Sequence, residues 1–113
     1  MKIITALILS LFVYNAHAFF KDGNLLVLKM REFEKAIKSD PSANYQDAVE
    51  YRSYVIGIFD SLSLRKRICF KNVQTGQIAE VVAKYLNDNP AKRSEPAYYL
   101  VEQSLLMAFP CRK

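Results

Sequence analysis

The chain has 113 residues and a formal net charge of +5, and at that length it forms a single domain. Its only histidine is His17, so residues 18–113 contain no Ser-His or Cys-His catalytic pair and none of the usual zinc sites. The three glycines are far apart, which excludes a glycine-rich phosphate loop. Asp60, Glu80 and Glu102 could still form a carboxylate pair for glycoside hydrolysis, but nothing marks them out. We therefore expect a protein that is not an enzyme and that needs no cofactor or metal.

Residues 1–18 have the pattern of a secretory signal peptide. Met1-Lys2 is a short basic start, a mostly apolar run follows from Ile3 to Tyr14, and Ala16-His17-Ala18 is a small-x-small cleavage signal. A membrane-spanning helix needs about 20 apolar residues, and this run ends sooner. We predict cleavage after Ala18, a mature domain of residues 19–113 in the periplasm, and no membrane span after cleavage.

The first helix of the mature domain is predicted from Leu25 to Lys38. Asp22 or Asn24 can cap its start, and Ser39-Asp40-Pro41 ends it. Helical spacing places these apolar residues on its inner face, with Leu26 and Met30 flanking them: Leu25, Leu28, Phe33 and Ile37.

A second helix starts at Ser42-Ala43-Asn44, and its wide apolar stripe predicts that it is the most buried helix. The stripe consists of Ala48, Tyr51, Val55, Ile58, Phe59 and Leu62. Gly57 costs about 1 kcal/mol against alanine in the middle of a helix, so we expect another helix to cross closely over it. Asp60 is either a buried polar tether or partner contact, or a solvated carboxylate. Arg65-Lys66-Arg67 is either a partner-facing patch or a set of cations that offset the helix dipole.

Two further helices follow. Thr75 is placed to cap the third, which stops at Asn89-Pro90, and Ser94 is placed to cap the fourth, with Pro96 in its first turn. The inner faces carry Ile78, Val81, Val82, Tyr85 and Leu86 in the third helix, and Leu100, Val101, Leu105, Ala108 and Phe109 in the fourth. Tyr98 and Tyr99 are neighbours that point about 100° apart, so we expect one of them to be exposed.

The predicted fold is a small, compact all-α bundle of four to five helices with one disulfide; the fifth helix would be a short turn near Phe70–Gln74. Export places the cysteines where disulfides persist, and two cysteines allow one pairing, Cys69 to Cys111. Two free buried thiols are the alternative. By the loop-entropy model, such a bond raises the free energy of unfolding by roughly 4 kcal/mol.

The chain resembles the Rap1a/Tai family of immunity proteins from Tyr45 to Cys111. Four motifs carry the resemblance: Tyr54-x-x-Gly57-x-x-Asp60, Cys69 followed by Val73-x-x-Gly76-Gln77, Val81-Val82-x-x-Tyr85-Leu86-x-x-x-Pro90, and Leu100-Val101 leading to Ala108-Phe109-Pro110-Cys111. Lys71 stands where many members have proline, and Met30 where some have a cysteine. The resemblance implies an all-α and often dimeric protein that binds and occludes a papain-like peptidoglycan amidase delivered by type VI secretion.

On that basis we predict a toxin-binding surface around the charged segment Asn89–Glu95. Its contact residues would be Asn89, Lys92, Arg93, Ser94, Glu95, Tyr98 and Tyr99. A preordered loop pays less entropy on binding, and aromatic and Arg residues are the usual anchors of interfaces. Arg93→Ala together with Tyr98→Ala should then weaken the complex without lowering the melting temperature. The alternative is that this segment is only a solvated turn.

Two other functions are open. The first is a periplasmic structural or envelope-associated binding module with no toxin partner. The second is nucleic-acid binding, which the isoelectric point of about 9.3 would suggest in a cytosolic protein. Export argues against nucleic acid, and we expect the basic charge to serve solubility, attraction to anionic surfaces or attraction to an acidic protein partner.

Overall fold

The chain folds into four α-helices, as expected for the all-α class. A computed structural model describes residues 20–112, and these contain no β-strand. In chain order the helices are α1 (Gly23–Ile37), α2 (Tyr45–Leu64), α3 (Thr75–Asp88) and α4 (Ala97–Ala108), with a short 3₁₀ helix, η1 (Pro90–Lys92), between the last two. The predicted signal peptide lies outside the described residues. Within them, no helix is both long and apolar enough to cross a membrane.

Side-chain caps start the first two helices, and Asp22 is one of the two caps that the sequence offered for α1. Asp22 caps α1, and its Oδ1 accepts a hydrogen bond of 3.0 Å from the backbone N–H of Leu25. Asn44 caps α2 in the same way, with 3.1 Å between its Oδ1 and the backbone nitrogen of Asp47. Each bond satisfies one of the amide groups that a helix leaves free at its start.

The starts of α3 and α4 differ from the prediction. Gln74, not Thr75, is the N-cap of α3, because the Gln77 side chain reaches back and accepts a hydrogen bond of 2.9 Å from the Gln74 amide. Pro96, not Ser94, is the N-cap of α4. An isolated antiparallel bridge between Asp22 and Pro96 holds the chain extended there, so α4 cannot begin earlier.

The connections also differ in detail. No helical turn forms at residues 70–74, and the extra short helix is η1 instead.

The predicted disulfide is confirmed: Cys69 and Cys111 are bonded, with their Cα atoms 4.9 Å apart. Beside it, the Cys69 amide donates a hydrogen bond of 3.0 Å to the carbonyl oxygen of Phe109. The link between α2 and α3 is thereby fastened to the end of α4.

The α1 helix is rotated relative to the prediction. Its buried side chains are Leu26, Val27, Met30 and Phe33, whereas Leu25, Leu28 and Ile37 are exposed. Four consecutive apolar residues, 25–28, allow more than one inner face, and contacts with α2 select between them. Lys29 sets part of this choice, because its Nζ lies 2.8 Å from Asp47 and 3.1 Å from Glu50 of α2. Hydrogen bonds to these two acids raise the pKa of Lys29.

The core lies where the four helices meet. Its largest fully buried side chains are Tyr51, Phe20, Leu26, Met30, Leu62, Leu86, Leu100 and Leu105. Tyr51 joins two helices, since its hydroxyl donates a hydrogen bond of 2.7 Å to the Ala79 carbonyl of α3. Burial raises the pKa of Tyr51 well above its ordinary value.

The prediction that a helix crosses over Gly57 is wrong. A Cβ added at Gly57 would meet no atom within 4 Å, and Gly57 is exposed. Asp60 is also exposed, so it is a solvated carboxylate rather than a buried tether. The expected burial of α2 applies to one face only, because Tyr45, Val49 and Leu64 of the same helix are exposed.

Candidate partner-binding surface

The segment from Asn89 to Glu95 is an ordered turn docked on the start of α1. Two backbone hydrogen bonds hold it: the Gly23 amide donates to the Glu95 carbonyl at 3.0 Å, and the Asn24 amide donates to the Arg93 carbonyl at 2.8 Å. These amides belong to the first residues of α1, which have no partners within their own helix. The turn therefore completes the hydrogen bonding of α1, and α1 in turn fixes the shape of the turn.

Gly23 makes this docking possible. A Cβ at this position would lie 2.8 Å from the Arg93 carbonyl oxygen and would overlap the Leu100 side chain. Only glycine lets the turn and α4 come so close. Gly23 had no predicted role. A glycine directly after the Asp22 cap, at the first position of a helix, was the feature of the sequence that could have indicated a close approach there.

Two of the predicted contact residues direct side-chain atoms inward. Asn89 donates from Nδ2 to the Tyr85 carbonyl at 2.8 Å, and Arg93 donates from Nε to the Leu86 carbonyl at 3.1 Å. These carbonyls lie in the last turn of α3, where a helix leaves its acceptors unpaired. Both residues are half-buried. Arg93 thus supports the turn, and the expectation that it can be truncated without loss of stability no longer holds.

The other predicted contact residues differ in exposure. Lys92 and Ser94 are exposed and Glu95 is half-buried. The Lys92 ammonium lies 5.9 Å from the centre of the Tyr85 ring, at the outer limit of a cation–π contact. Both tyrosines of α4 are exposed, Tyr98 at 57% and Tyr99 at 43%, whereas one was expected. The turn and the first residues of α4 therefore present cations and aromatic rings to solvent.

An apolar groove adjoins the turn on its α1 side. The groove has a volume of about 560 Å³, and the residues that line it include Leu25, Leu28, Arg31 and Arg93. Leu28 is 62% exposed. No acidic side chain lines this groove among the described residues. Sequence reasoning missed the groove because it assigned Leu25 and Leu28 to the core.

The remaining motif residues serve the fold or face solvent. Gln77 caps α3 as described, and Gly76 is half-buried beside it, with no atom within 4 Å of an added Cβ. Arg65 caps the end of α2, and its Nη2 lies 3.3 Å from Glu102 of α4. That contact favours the structural interpretation of the Arg65-Lys66-Arg67 run.

The three acids that the sequence left open as a carboxylate pair do not converge in the described part of the chain. Residues 20–112 contain no cluster of three or more His, Cys, Asp or Glu that could hold a metal ion. Asp60 and Glu80 line different grooves, and Glu102 pairs with Arg65. None of these three acids shares a groove with another among the described pockets.

An ordered polar turn beside an apolar groove, on a helical scaffold closed by a disulfide, describes a small all-α protein with no sign of a cofactor site among the described residues. The family model of the Rap1a immunity proteins matches residues 24–111, a range that spans nearly all of α1 to α4 and both cysteines. The chain belongs to this family, and the suspected resemblance is confirmed. Membership implies a role in immunity to a toxin and a toxin protein as partner. No curated protein and no solved structure gives a significant match.

Proposed function

We propose that the protein is a periplasmic immunity protein that binds a peptidoglycan amidase delivered by type VI secretion and blocks its active-site cleft. The observation that carries this proposal is the turn at Asn89–Glu95, which backbone hydrogen bonds to Gly23 and Asn24 hold in one shape. Immunity to a toxin follows from family membership; the amidase, the periplasm and the mode of inhibition are proposed.

Inhibition in this proposal is steric and needs no chemistry from the immunity protein. An amidase cleft must admit a peptide stem of peptidoglycan, so a protein turn inserted there excludes the substrate. Because the turn is already ordered, little conformational entropy is lost when it enters the cleft. Tyr98 and Tyr99 supply the aromatic contacts that often contribute most to such interfaces.

The positive charge of the turn and the adjoining groove favours a toxin that presents an acidic surface. Lys92 of the turn and both arginines of the adjoining groove, Arg31 and Arg93, carry positive charge, and none of the described residues that line that groove is acidic. A complementary acidic rim on the toxin would raise the association rate and exclude wrong partners. The two leucines of the groove, Leu25 and Leu28, would give the same interface an apolar part that is removed from water on binding.

The location and the oligomeric state are part of the proposal. The small-x-small signal ending at Ala18 supports export to the periplasm, where a disulfide such as Cys69–Cys111 persists. The resemblance to the family supports a homodimer.

The proposal is tested by co-expressing the chain with the product of the neighbouring gene directed to the periplasm, scoring lysis and then titrating the purified pair. We expect rescue from lysis and nanomolar binding. The triple variant Lys92→Ala, Tyr98→Ala, Tyr99→Ala should weaken binding by at least about 30-fold, since truncated anchors cost about 2 kcal/mol or more. Lys84→Ala is the matched control, because Lys84 is an exposed cation on α3 that pairs with Asp88.

Two results would contradict the proposal. Lysis despite full expression of the chain would move the assignment to an envelope-associated binding module without a toxin partner. Rescue with unchanged affinity in the triple variant would retain the immunity function and reject the turn as its contact surface.

A further inference from the structure

A second groove runs between α3 and α4 and reaches the turn. Its volume is about 320 Å³. Val81 and Tyr85 line it from α3, and Ser104 and Ala108 line it from α4; each pair is four residues apart and therefore lies on one face of its helix. Asn89, the first residue of the turn, also lines it. We name this feature the α3–α4 groove.

Ser104 brings a buried hydroxyl without a partner to this groove. The residue is 2% exposed, and its Oγ has no hydrogen-bond partner among residues 20–112. A serine inside a helix can bond to the carbonyl oxygen four residues earlier, but Ser104 makes no such bond to Leu100. An unpaired buried hydroxyl destabilises the free protein. Its place in the lining of a groove makes it available to a bound group instead.

The apolar residues of the groove suit an aromatic ring. Tyr85 is half-buried there, and Met107 of α4 is 69% exposed. A methionine side chain adapts its shape to a partner, and its sulfur makes favourable contacts with ring edges. Aromatic rings also pair favourably with one another when they are offset or edge to face. Tyr85 and Met107 together therefore offer both kinds of contact to a ring placed between α3 and α4.

The charges at the rim of the groove favour a neutral occupant. Lys84 and Asp88 form an ion pair with each other at 2.9 Å, with their side chains 79% and 58% exposed. The pair leaves no uncompensated charge to attract an ion, in contrast to the two arginines of the groove on α1. A neutral ring makes no use of this pair, so Lys84→Ala remains a control here as well.

We propose that the α3–α4 groove binds a tyrosine side chain of the toxin, with the ring between Tyr85 and Met107 and the phenol hydroxyl bonded to Ser104. Tyrosine combines an apolar ring with a tip that both donates and accepts a hydrogen bond. The volume of the groove lies at the lower end of the range for small-ligand sites, which suits one side chain rather than a whole helix. The source of the tyrosine rests on the proposed function.

The position of Asn89 supports the toxin as that source. Asn89 belongs to the turn and donates from Nδ2 to the carbonyl oxygen of Tyr85 at 2.8 Å, so the turn and the wall of the groove are fixed to each other. A toxin that receives the turn in its cleft therefore has its own surface at the mouth of the groove. Each protein would then insert a group into the other.

The first test uses the purified chain without toxin and two neutral probes, N-acetyl-tyrosinamide and N-acetyl-phenylalaninamide, which differ by the phenol hydroxyl. Titration followed by NMR should show millimolar binding of the tyrosine derivative, with shifted signals at Val81 and Ala108. The phenylalanine derivative should bind about fivefold more weakly, since it lacks the hydrogen bond. Ser104→Ala should bind both probes equally. Ser61→Ala, at an exposed position on α2, is the matched control and should keep the preference.

The second test measures toxin affinity. Ser104→Ala should weaken toxin binding by about tenfold, because the phenol hydroxyl would be buried without a partner, although the variant itself should be more stable. A merely structural serine would not weaken binding while its loss stabilises the fold. Ala108→Trp fills the groove from an exposed position and should weaken binding further, whereas Ser61→Trp should not. Circular dichroism shows whether each variant folds.

Three results would overturn the inference. The first is a wild-type chain that binds neither probe at the groove, and the second is equal binding of the two probes by the wild type. The third is an unchanged toxin affinity in both Ser104→Ala and Ala108→Trp, which would reject the toxin as the source of the tyrosine. Failure of the chain to rescue cells from lysis would reject the proposed function instead, and the probe titrations do not depend on that result.

Discussion

The backbone amide of Gly23 donates a hydrogen bond of 3.0 Å to the carbonyl oxygen of Glu95. This bond joins the first residue of α1 to the end of the turn that we propose enters the toxin. The contact is made between main chains, so it depends on how closely the two segments approach and little on the identity of Glu95. Gly23 is the residue that permits this approach, as its added Cβ would overlap α4 and the turn.

Replacement of Gly23 by alanine should therefore lower both stability and toxin affinity. The added methyl group has no space beside the Arg93 carbonyl oxygen, 2.8 Å away, and overpacking of this kind costs about 1–3 kcal/mol. Urea unfolding measures the loss. Gly76→Ala is the matched control, because Gly76 lies at the start of α3 and an added Cβ meets nothing within 4 Å. If both variants lost equal stability, close packing at Gly23 would not be the cause.

Arg93→Ala and Lys92→Ala should separate support of the turn from contact with the partner. Arg93 donates to the Leu86 carbonyl, and loss of a hydrogen bond from a charged group costs about 1.5–3 kcal/mol. Arg93→Ala should lower the free energy of unfolding by about that amount and should also weaken toxin binding. Lys92 is exposed, so Lys92→Ala should weaken binding alone. Paired denaturation and titration experiments test this, and an unchanged stability of Arg93→Ala would contradict it.

Reduction of the disulfide should lower the melting temperature. Cys69 and Cys111 close a loop with a sequence separation of 42, for which the loop-entropy model gives about 4 kcal/mol. In a domain of this size that corresponds to a decrease of more than about 10 °C. Calorimetry with and without dithiothreitol measures it. The double variant Cys69→Ser, Cys111→Ser should melt at the lower temperature and show no response to the reductant.

Tyr51→Phe should lose stability at neutral pH and lose less of it at alkaline pH. The variant lacks the hydrogen bond to the Ala79 carbonyl, worth about 1 kcal/mol. Burial raises the pKa of Tyr51 above its ordinary value of 10.0. In the wild type, the stability that depends on the neutral phenol is present below pH 10.0 and is lost as the pH rises through the folded-state pKa. The difference between the two proteins should therefore shrink above pH 10.0; a constant difference would oppose this.

Ser104→Ala should stabilise the protein. The Ser104 hydroxyl is buried in α4 and finds no hydrogen-bond partner among residues 20–112. A buried hydroxyl without a partner costs about 1–3 kcal/mol, and alanine removes that cost while it also favours the helix. Thermal unfolding measures the change. Ser61→Ala, at an exposed position on α2, should change the melting temperature less, and equal gains in both would assign the effect to helix propensity alone.

Sequence patterns predicted the helices because helices follow from local periodicity. They predicted the disulfide because two cysteines allow only one pairing. Asp22 was one of two candidate caps before the first apolar period, Asn44 lay in the segment predicted to start the second helix, and Cys69 had one possible partner. The rotation of α1 was not predictable, since its consecutive apolar residues fit more than one inner face. Pro96 as a cap depends on its bridge to Asp22, far away in the chain. The Gln74 cap depends on Gln77, only three residues further on, so the assignment of Thr75 missed a local signal.

The site was predictable in part. The charged residues around Asn89–Glu95 were recognisable as a turn between helices. Tyr98 and Tyr99 could not both face the core, so one was expected to be exposed, whereas both are. The docking of the turn on Gly23 and the inward hydrogen bond of Arg93 join residues far apart in the chain, and no periodicity reports such contacts. Gly57 shows the opposite case: its position suggested a crossing within the chain, and the space above it is open.

The pairing of Gly23 with Glu95 has a consequence for the order of folding. A ribosome releases the amino-terminal end first, and any export channel delivers it first as well, so α1 emerges long before the turn that completes its hydrogen bonds. The first turn of α1 must wait in contact with water until nearly the whole chain is present. The surface proposed for the toxin therefore forms late, and a chain truncated before Glu95 would lack both the turn and a finished start to α1.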